Sequence, residues 1–160
     1  MTDKARELIV HQMQPCPVSC VSTCLAMIKG RPAGEVIDLL HKPYREGDLT
    51  LREMLEFLEI PFTAFYSVDC PPLADEGVYL CTAPSVNIVG GNHQILIEVT
   101  EDGYSVLDPV KGREDRKYYV VRGQTGDDQF AVDLGGFVVD AFISRKYLLG
   151  RDCVSVEVAP

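Results

Sequence analysis

The chain has 160 residues, 46% of them hydrophobic, which suffices for one compact core and leaves little room for two domains. Acidic residues outnumber basic ones 24 to 15, for a formal charge of -9 and a pI near 4.7, so no basic face is expected for a phosphate backbone and nucleic acid is not expected as a partner. The opening MTDKARELIVHQ mixes charges into its apolar residues, unlike an export signal, and no stretch approaches the roughly 18 consecutive apolar residues of a membrane span, so a soluble, cytoplasmic protein is expected.

The first predicted element is a helix from Cys20 to Lys29. Cys20, Cys24, Met27 and Ile28 share one helical face, Ser19 stands at the N-cap, and Gly30 and Pro32 close the far end. A second helix is expected over Ala33 to His41, where Val36, Ile37 and Leu40 form an apolar stripe that stops ahead of Pro43. A third spans Thr50 to Glu59, with Leu51, Met54, Leu55 and Leu58 at helical spacing and Ile60-Pro61 ending it.

Beyond Pro61 the pattern becomes short, β-branched and aromatic. Strands are expected at Phe62 to Val68, Val78 to Cys81, Gln94 to Val99, Tyr104 to Leu107 and Lys117 to Val121. Phe130 to Ile143 reads either as a strand pair or as a strand with a turn of helix, since Gly135-Gly136 interrupts it, and Cys153 to Val158 reads as a last strand. Helices precede strands without alternating with them and no repeat is visible, so the expected fold is α+β, one domain over residues 1–160, with N-terminal helices packed on a C-terminal antiparallel sheet.

The six cysteines fall well below the roughly 8 to 10% density of disulfide scaffolds and are expected to be free thiols. Cys20 is the informative one, because the unpaired N–H groups and dipole of a helix N-terminus stabilise a thiolate over a thiol. An adjacent imidazolium would deepen that effect. Of the three histidines, His11 lies in the N-terminal segment and His41 at a helix end, where a cation complements the dipole. His93 follows the Gly90-Gly91-Asn92 turn at the head of an apolar strand and is the expected proton partner. Asp108, ending the next strand ahead of Pro109, is the candidate to fix the imidazole tautomer. Cys24, one turn deeper on the same face, reads as core, and Cys16, between Pro15 and Pro17, as a loop thiol. The C-x3-C-x3-C spacing is not a usual zinc pattern, so no metal and no cofactor are expected.

Register puts a condition on Asp108. A two-residue turn at Asp102-Gly103 sets Asp108 opposite Ile97, on the face of His93 but about 13 Å from it, at roughly 3.3 Å per residue. A three-residue loop with Gly103 in a bulge sets the two on opposite faces. Contact requires the turn nearer Thr100 and Glu101, or a bulge that restores the register.

Gln14, five intervening residues, Cys20 and then Cys24-Leu25-Ala26-Met27-Ile28 resemble the opening block of the bacteriocin-processing, double-glycine leader peptidases, which are papain-like cysteine peptidases. The strand headed by His93, the pair Asp108-Pro109, the helix Leu49 to Leu58 and the Ala83-Pro84 step are similar to later parts of that family, so the resemblance covers roughly residues 12 to 113. It implies a papain-like fold with Cys20 as nucleophile, His93 as general base and acid, Asp108 as orienter, and Gln14 as side-chain donor to the oxyanion. Residues 114 to 160 are expected to add strands to the same domain. The implied activity is that of a stand-alone cysteine peptidase hydrolysing a peptide or isopeptide amide through an acyl-enzyme, with a peptide or protein as partner and Gly-Gly as the family's kind of cleavage site. Two departures stand out. Val21 follows the nucleophile where the family usually has glycine, and its branched side chain is expected to crowd the substrate. There is also neither a spanning segment nor a G-x-x-x-x-G-K-[ST] loop for the transporter and ATPase parts of the family's best-known members. The alternative is a papain-like domain that binds a peptide without cutting it, with Val21 and the hairpin register as its motives.

Overall fold

The computed structural model describes residues 8–66 and 71–153. Among the described residues five α-helices, α1 (Cys20–Lys29), α2 (Ala33–Val36), α3 (Lys42–Arg45), α4 (Leu51–Phe57) and α5 (Arg145–Gly150), accompany seven strands, and a π-helical turn (Ile37–His41) joins α2 to α3. The strands are β1 (Thr63–Ala64), β2 (Gly77–Pro84), β3 (Asn92–Thr100), β4 (Gly103–Leu107), β5 (Tyr118–Val120), β6 (Ala131–Asp133) and β7 (Val138–Ser144). The fold is α+β. Five strands form an antiparallel sheet in the order β1-β7-β2-β3-β4, and β5 and β6 form a separate parallel pair.

α1 begins at Cys20 and ends at Lys29, as the spacing predicts, and Gly30 closes it in the left-handed region with φ 71°, its N–H returning to Ala26 and Met27. The expected stop ahead of Pro43 does not occur. The chain continues helically through Pro43 to Arg45 after the π turn, and Pro43 sits in the first turn of α3, where its missing N–H costs little. α4 is shorter than the expected Thr50 to Glu59; Thr50 is its N-cap and forms a capping box with Glu53. The strands run longer than their sequence cores at β2, β3 and β4, and Phe130 to Ile143 resolves into strands β6 and β7 on either side of Gly135-Gly136. β1 is confined to two residues, with Ser67 and Val68 of the expected strand outside the described residues, as is most of the expected tail strand; Cys153 itself is in no strand. Helix α5 and the parallel pairing of β5 with β6 were not expected from the sequence.

Alternation along the strands divides the core into two. Val78, Leu80 and Leu96 join Leu25, Ile28, Met54 and Leu55 in the core between sheet and helices. Tyr79, Cys81, Ile95 and Ile97 point to the other face, where Tyr119 and Val139 complete a second cluster. β7 belongs to the middle of the sheet although it comes last in sequence, so residues beyond 114 are structural partners of β2. Leu25, fully buried in α1, is expected to cost about 2 to 5 kcal/mol on change to alanine through lost burial and residual cavity. Urea unfolding measures it, and a loss under about 1 kcal/mol would mean that α1 is not anchored by this core.

Among the described residues no helix is long and apolar enough to cross a membrane.

Candidate active site

Three elements converge at the head of β3. α1 presents Cys20 at its first turn, β3 carries His93, and Asp108 follows directly on β4. The hairpin register brings the last two together. The β3–β4 turn lies at Glu101 and Asp102, one residue earlier than the expected Asp102-Gly103, with Thr100 paired to Gly103 and Leu96 to Leu107. The Asp102 N–H donates to the Thr100 hydroxyl at 3.3 Å, and Gly103 opens β4 with φ 124°, a conformation that a side chain would resist. The shift places Asp108 opposite Ile95 and diagonal to His93 on the same face, a separation of about 7 to 8 Å between backbones that two side chains can span. The expected 13 Å gap is therefore closed. His93 Nε2 donates to Asp108 Oδ1 at 2.6 Å, with His93 8% and Asp108 1% exposed.

Asp108 is held from several sides. Its Oδ1 also accepts the Val110 N–H at 2.9 Å and its Oδ2 the Tyr119 N–H at 2.8 Å, so a buried carboxylate is satisfied by three donors. His11 Nε2 donates to the Asp108 backbone carbonyl at 2.8 Å. With Nε2 of His93 committed to Asp108, Nδ1 is the nitrogen left for Cys20.

Cys20 and His93 face the same cleft, and each side chain acts on the other's titration. Burial would raise the Cys20 thiol. The His93 hydrogen bond, the Gln94 N–H, the His93 charge and the Val21 N–H outweigh it and hold the thiol below its ordinary range. Burial likewise disfavours the His93 imidazolium, but the hydrogen bonds to Asp108 and Cys20 and the charges of both raise it to about 9. Both directions describe a thiolate and an imidazolium that stabilise each other. Cys24, fully buried with its thiol donating to the Gln94 carbonyl at 3.5 Å, is pushed well up by burial, the behaviour of a core thiol. Burial pushes Cys81 up as well.

Gln14 lies 1% exposed at the edge of the same cleft. Its backbone N–H donates to the Pro109 carbonyl at 2.7 Å and its carbonyl accepts from Arg113 Nη1 at 3.1 Å, so the segment after Asp108 fixes both residues. Its Nε2 donates one proton to the Cys16 carbonyl at 2.8 Å, leaving the second for another acceptor. Gln14 Oε1 is buried without a hydrogen-bond partner among the described residues.

A cleft of about 460 Å³ opens over Gln14, Cys20 and His93. Val21 does not line it. Its side chain is 8% exposed and packs in the helix-side core, so the expected crowding of a substrate does not arise. Cys16 is a half-buried loop thiol. Among the described residues no group of three or more His, Cys, Asp and Glu side chains is arranged to hold a metal ion. Sequence reasoning missed His11 and Arg113, which brace Asp108 and Gln14 through backbone carbonyls. Contacts of that kind leave no mark on spacing. No known protein family, curated protein or solved structure matches the chain.

Proposed function

We propose that this chain is a papain-like cysteine peptidase that hydrolyses a peptide or isopeptide amide through an acyl-enzyme on Cys20. The observation that carries the reading is the convergence of Cys20 at a helix start, the His93 ring and the Asp108 carboxylate bonded to that ring at 2.6 Å, at the wall of a cleft large enough for a peptide segment.

The Cys20 thiolate attacks the carbonyl carbon and the carbonyl π electrons move to oxygen. The second Nε2 proton of Gln14 meets that oxyanion, a contribution of about 3 to 4 kcal/mol to the transition state for a donor of this type. The first-turn N–H groups of α1 add positive potential beside it. The C–N bond breaks as His93 Nδ1 passes its proton to the departing amine. Neutral His93 then takes a proton from water, whose hydroxide attacks the thioester and releases the acid with Cys20 as thiolate again. Asp108 holds the ring in the tautomer that this shuttle needs and favours the imidazolium. The reading as a non-cutting peptide binder loses both its motives, because Val21 is buried in the core and the hairpin register brings His93 and Asp108 into contact.

Wild-type protein mixed with a digest of cellular protein is expected to generate new peptide N-termini detectable by mass spectrometry, and Cys20→Ala to generate none. A wild-type protein that cleaves no peptide in the digest, or a Cys20→Ala variant that cleaves as well, would sink the proposal.

A further inference from the structure

Among the residues lining the cleft are three arginines, Arg45, Arg113 and Arg116, and no aspartate or glutamate. This is unexpected in a chain whose acids outnumber its bases 24 to 15. None of the three is ion-paired with a carboxylate among the described residues, although Arg31, Lys42 and Arg145 each are. Arg45 ends α3, whereas Arg113 and Arg116 belong to the loop after β4, so two separate elements deliver positive charge to one space.

The backbone of the second loop sorts its charges. In Lys111-Gly112-Arg113-Glu114-Asp115-Arg116-Lys117 the two signs are mixed in sequence, which reads as a solvated turn. Asp115 takes φ 53°, a left-handed conformation uncommon outside glycine and tolerated by aspartate. Around that turn Arg113 and Arg116 line the cleft while Glu114 and Asp115 do not. The loop is fixed in place: Asn87 Nδ2 donates to the Lys117 carbonyl at 2.7 Å and Asn87 Oδ1 accepts the Lys117 N–H at 2.9 Å, tying it to the β2–β3 loop that carries Ile88. Ile88 and Val18, 51% and 40% exposed, add an apolar lip.

Resting on the hydrolase reading of the same cleft, we infer that the substrate is a peptide bearing a carboxylate near the scissile bond, bound by Arg113, Arg116 and Arg45, with an apolar neighbour against Ile88 and Val18. Arginine presents a planar fork that matches a carboxylate in two parallel hydrogen bonds, and a partly walled cleft strengthens the field over that of an open surface. The carboxylate can come from an internal Asp or Glu side chain or from a free peptide C-terminus.

Alkylation with a charged and a neutral reagent tests the field without knowledge of the substrate. The rate ratio of iodoacetate to iodoacetamide at Cys20 is expected to fall about fivefold or more in Arg45→Gln/Arg113→Gln/Arg116→Gln, and to fall in wild type as salt rises from about 10 to 150 mM. The His93 charge is common to both proteins, and Arg116→Gln alone, at an exposed position that leaves the Arg113 brace on Gln14 in place, is expected to give a smaller fall in the same direction. An unchanged ratio with Cys20 still reactive would overturn the inference and leave the hydrolase reading intact, whereas a Cys20 unreactive to both reagents would overturn the hydrolase reading. Fluorescence anisotropy on Cys20→Ala decides the anion preference in either case, with rhodamine-labelled hexapeptides carrying internal Glu and an amidated end, internal Gln and a free end, or internal Gln and an amidated end. Tighter binding of the first or second, by about tenfold over the third, identifies the source of the carboxylate. Equal binding of all three overturns the inference.

Discussion

Near pH 6, Cys20 is expected to react with iodoacetamide at least about tenfold faster than any of the other five cysteines, and His93→Ala is expected to erase the difference. An ordinary thiol with pKa near 8.5 is only about 0.3% thiolate at that pH, so full ionisation alone raises the reactive fraction by roughly two orders of magnitude. A thiolate of lowered pKa is also a weaker nucleophile, by a Brønsted slope of about 0.4 to 0.5, which removes part of that gain. Cys24 and Cys81 are buried with their thiols pushed up, and so drop out as competitors. Cys153 is exposed and provides the internal comparison. The lowering at Cys20 works against its own burial, so removing the imidazole leaves burial dominant and drives the thiol upward. Peptide mapping of alkylated protein at several times gives the rates site by site. Equal rates at Cys20 and Cys153, or a His93→Ala variant as reactive as wild type, would show that no ion pair forms.

How legible this site was depends on the scale of the interaction that makes each part. α1 was readable residue by residue, because its apolar stripe, its N-terminal position for Cys20 and its closing Gly30 are all local signals. The fold class followed from helices preceding short strands. The extent of the helical run after Ala33 was not readable, because a π turn absorbs Pro43 where the local rule predicts a stop. Helix α5 was hidden in a short run, Arg145–Gly150, whose stability comes from Leu148 packing into the core and a Ser144 cap. The parallel pairing of β5 with β6 joins residues about a dozen apart with no periodicity to announce it.

The site residues divide the same way. Cys20 stands where a helix start puts it, and His93 where a strand start puts it. Their meeting with Asp108 was decided by a one-residue difference in where the β3–β4 turn falls, which depends on the Thr100 hydroxyl accepting the Asp102 N–H and on Gly103 taking a positive φ after the turn instead of within it. The sequence carries both residue types, but the choice between neighbouring turns is worth little locally and is made by packing of the whole sheet. Likewise the mixed charges of Lys111 to Lys117 read as a solvated turn, and it is the left-handed turn at Asp115 that puts Arg113 and Arg116 on the cleft and Glu114 and Asp115 away from it.

Asp108→Asn is expected to move the alkaline limb of the pH–rate profile toward acid and to lower hydrolysis near pH 8 by at least about tenfold. In the wild type the imidazolium persists until about pH 9, and after the opposing effect of burial the leading cause is the hydrogen bond to Asp108. The sign follows directly: without the carboxylate charge the protonated ring is less favoured, its pKa falls, and the proton required by the leaving amine is lost at lower pH. The acid limb moves the other way, because a weaker imidazolium supports the Cys20 thiolate less well, and the two limbs belong to the pair as a coupled unit. The working window therefore narrows from both sides. Asparagine retains one carbonyl oxygen, which best serves His93 and the Val110 N–H together, and its amide nitrogen then faces the Tyr119 N–H as donor against donor. That buried mismatch is expected to cost about 1 to 3 kcal/mol of stability, separately measurable by urea unfolding. A merely structural Asp108 would give the stability loss with limbs unmoved. Titration of the His93 ring by NMR distinguishes the two outcomes, and a ring pKa that stays near 9 in Asp108→Asn would remove Asp108 from the proton path.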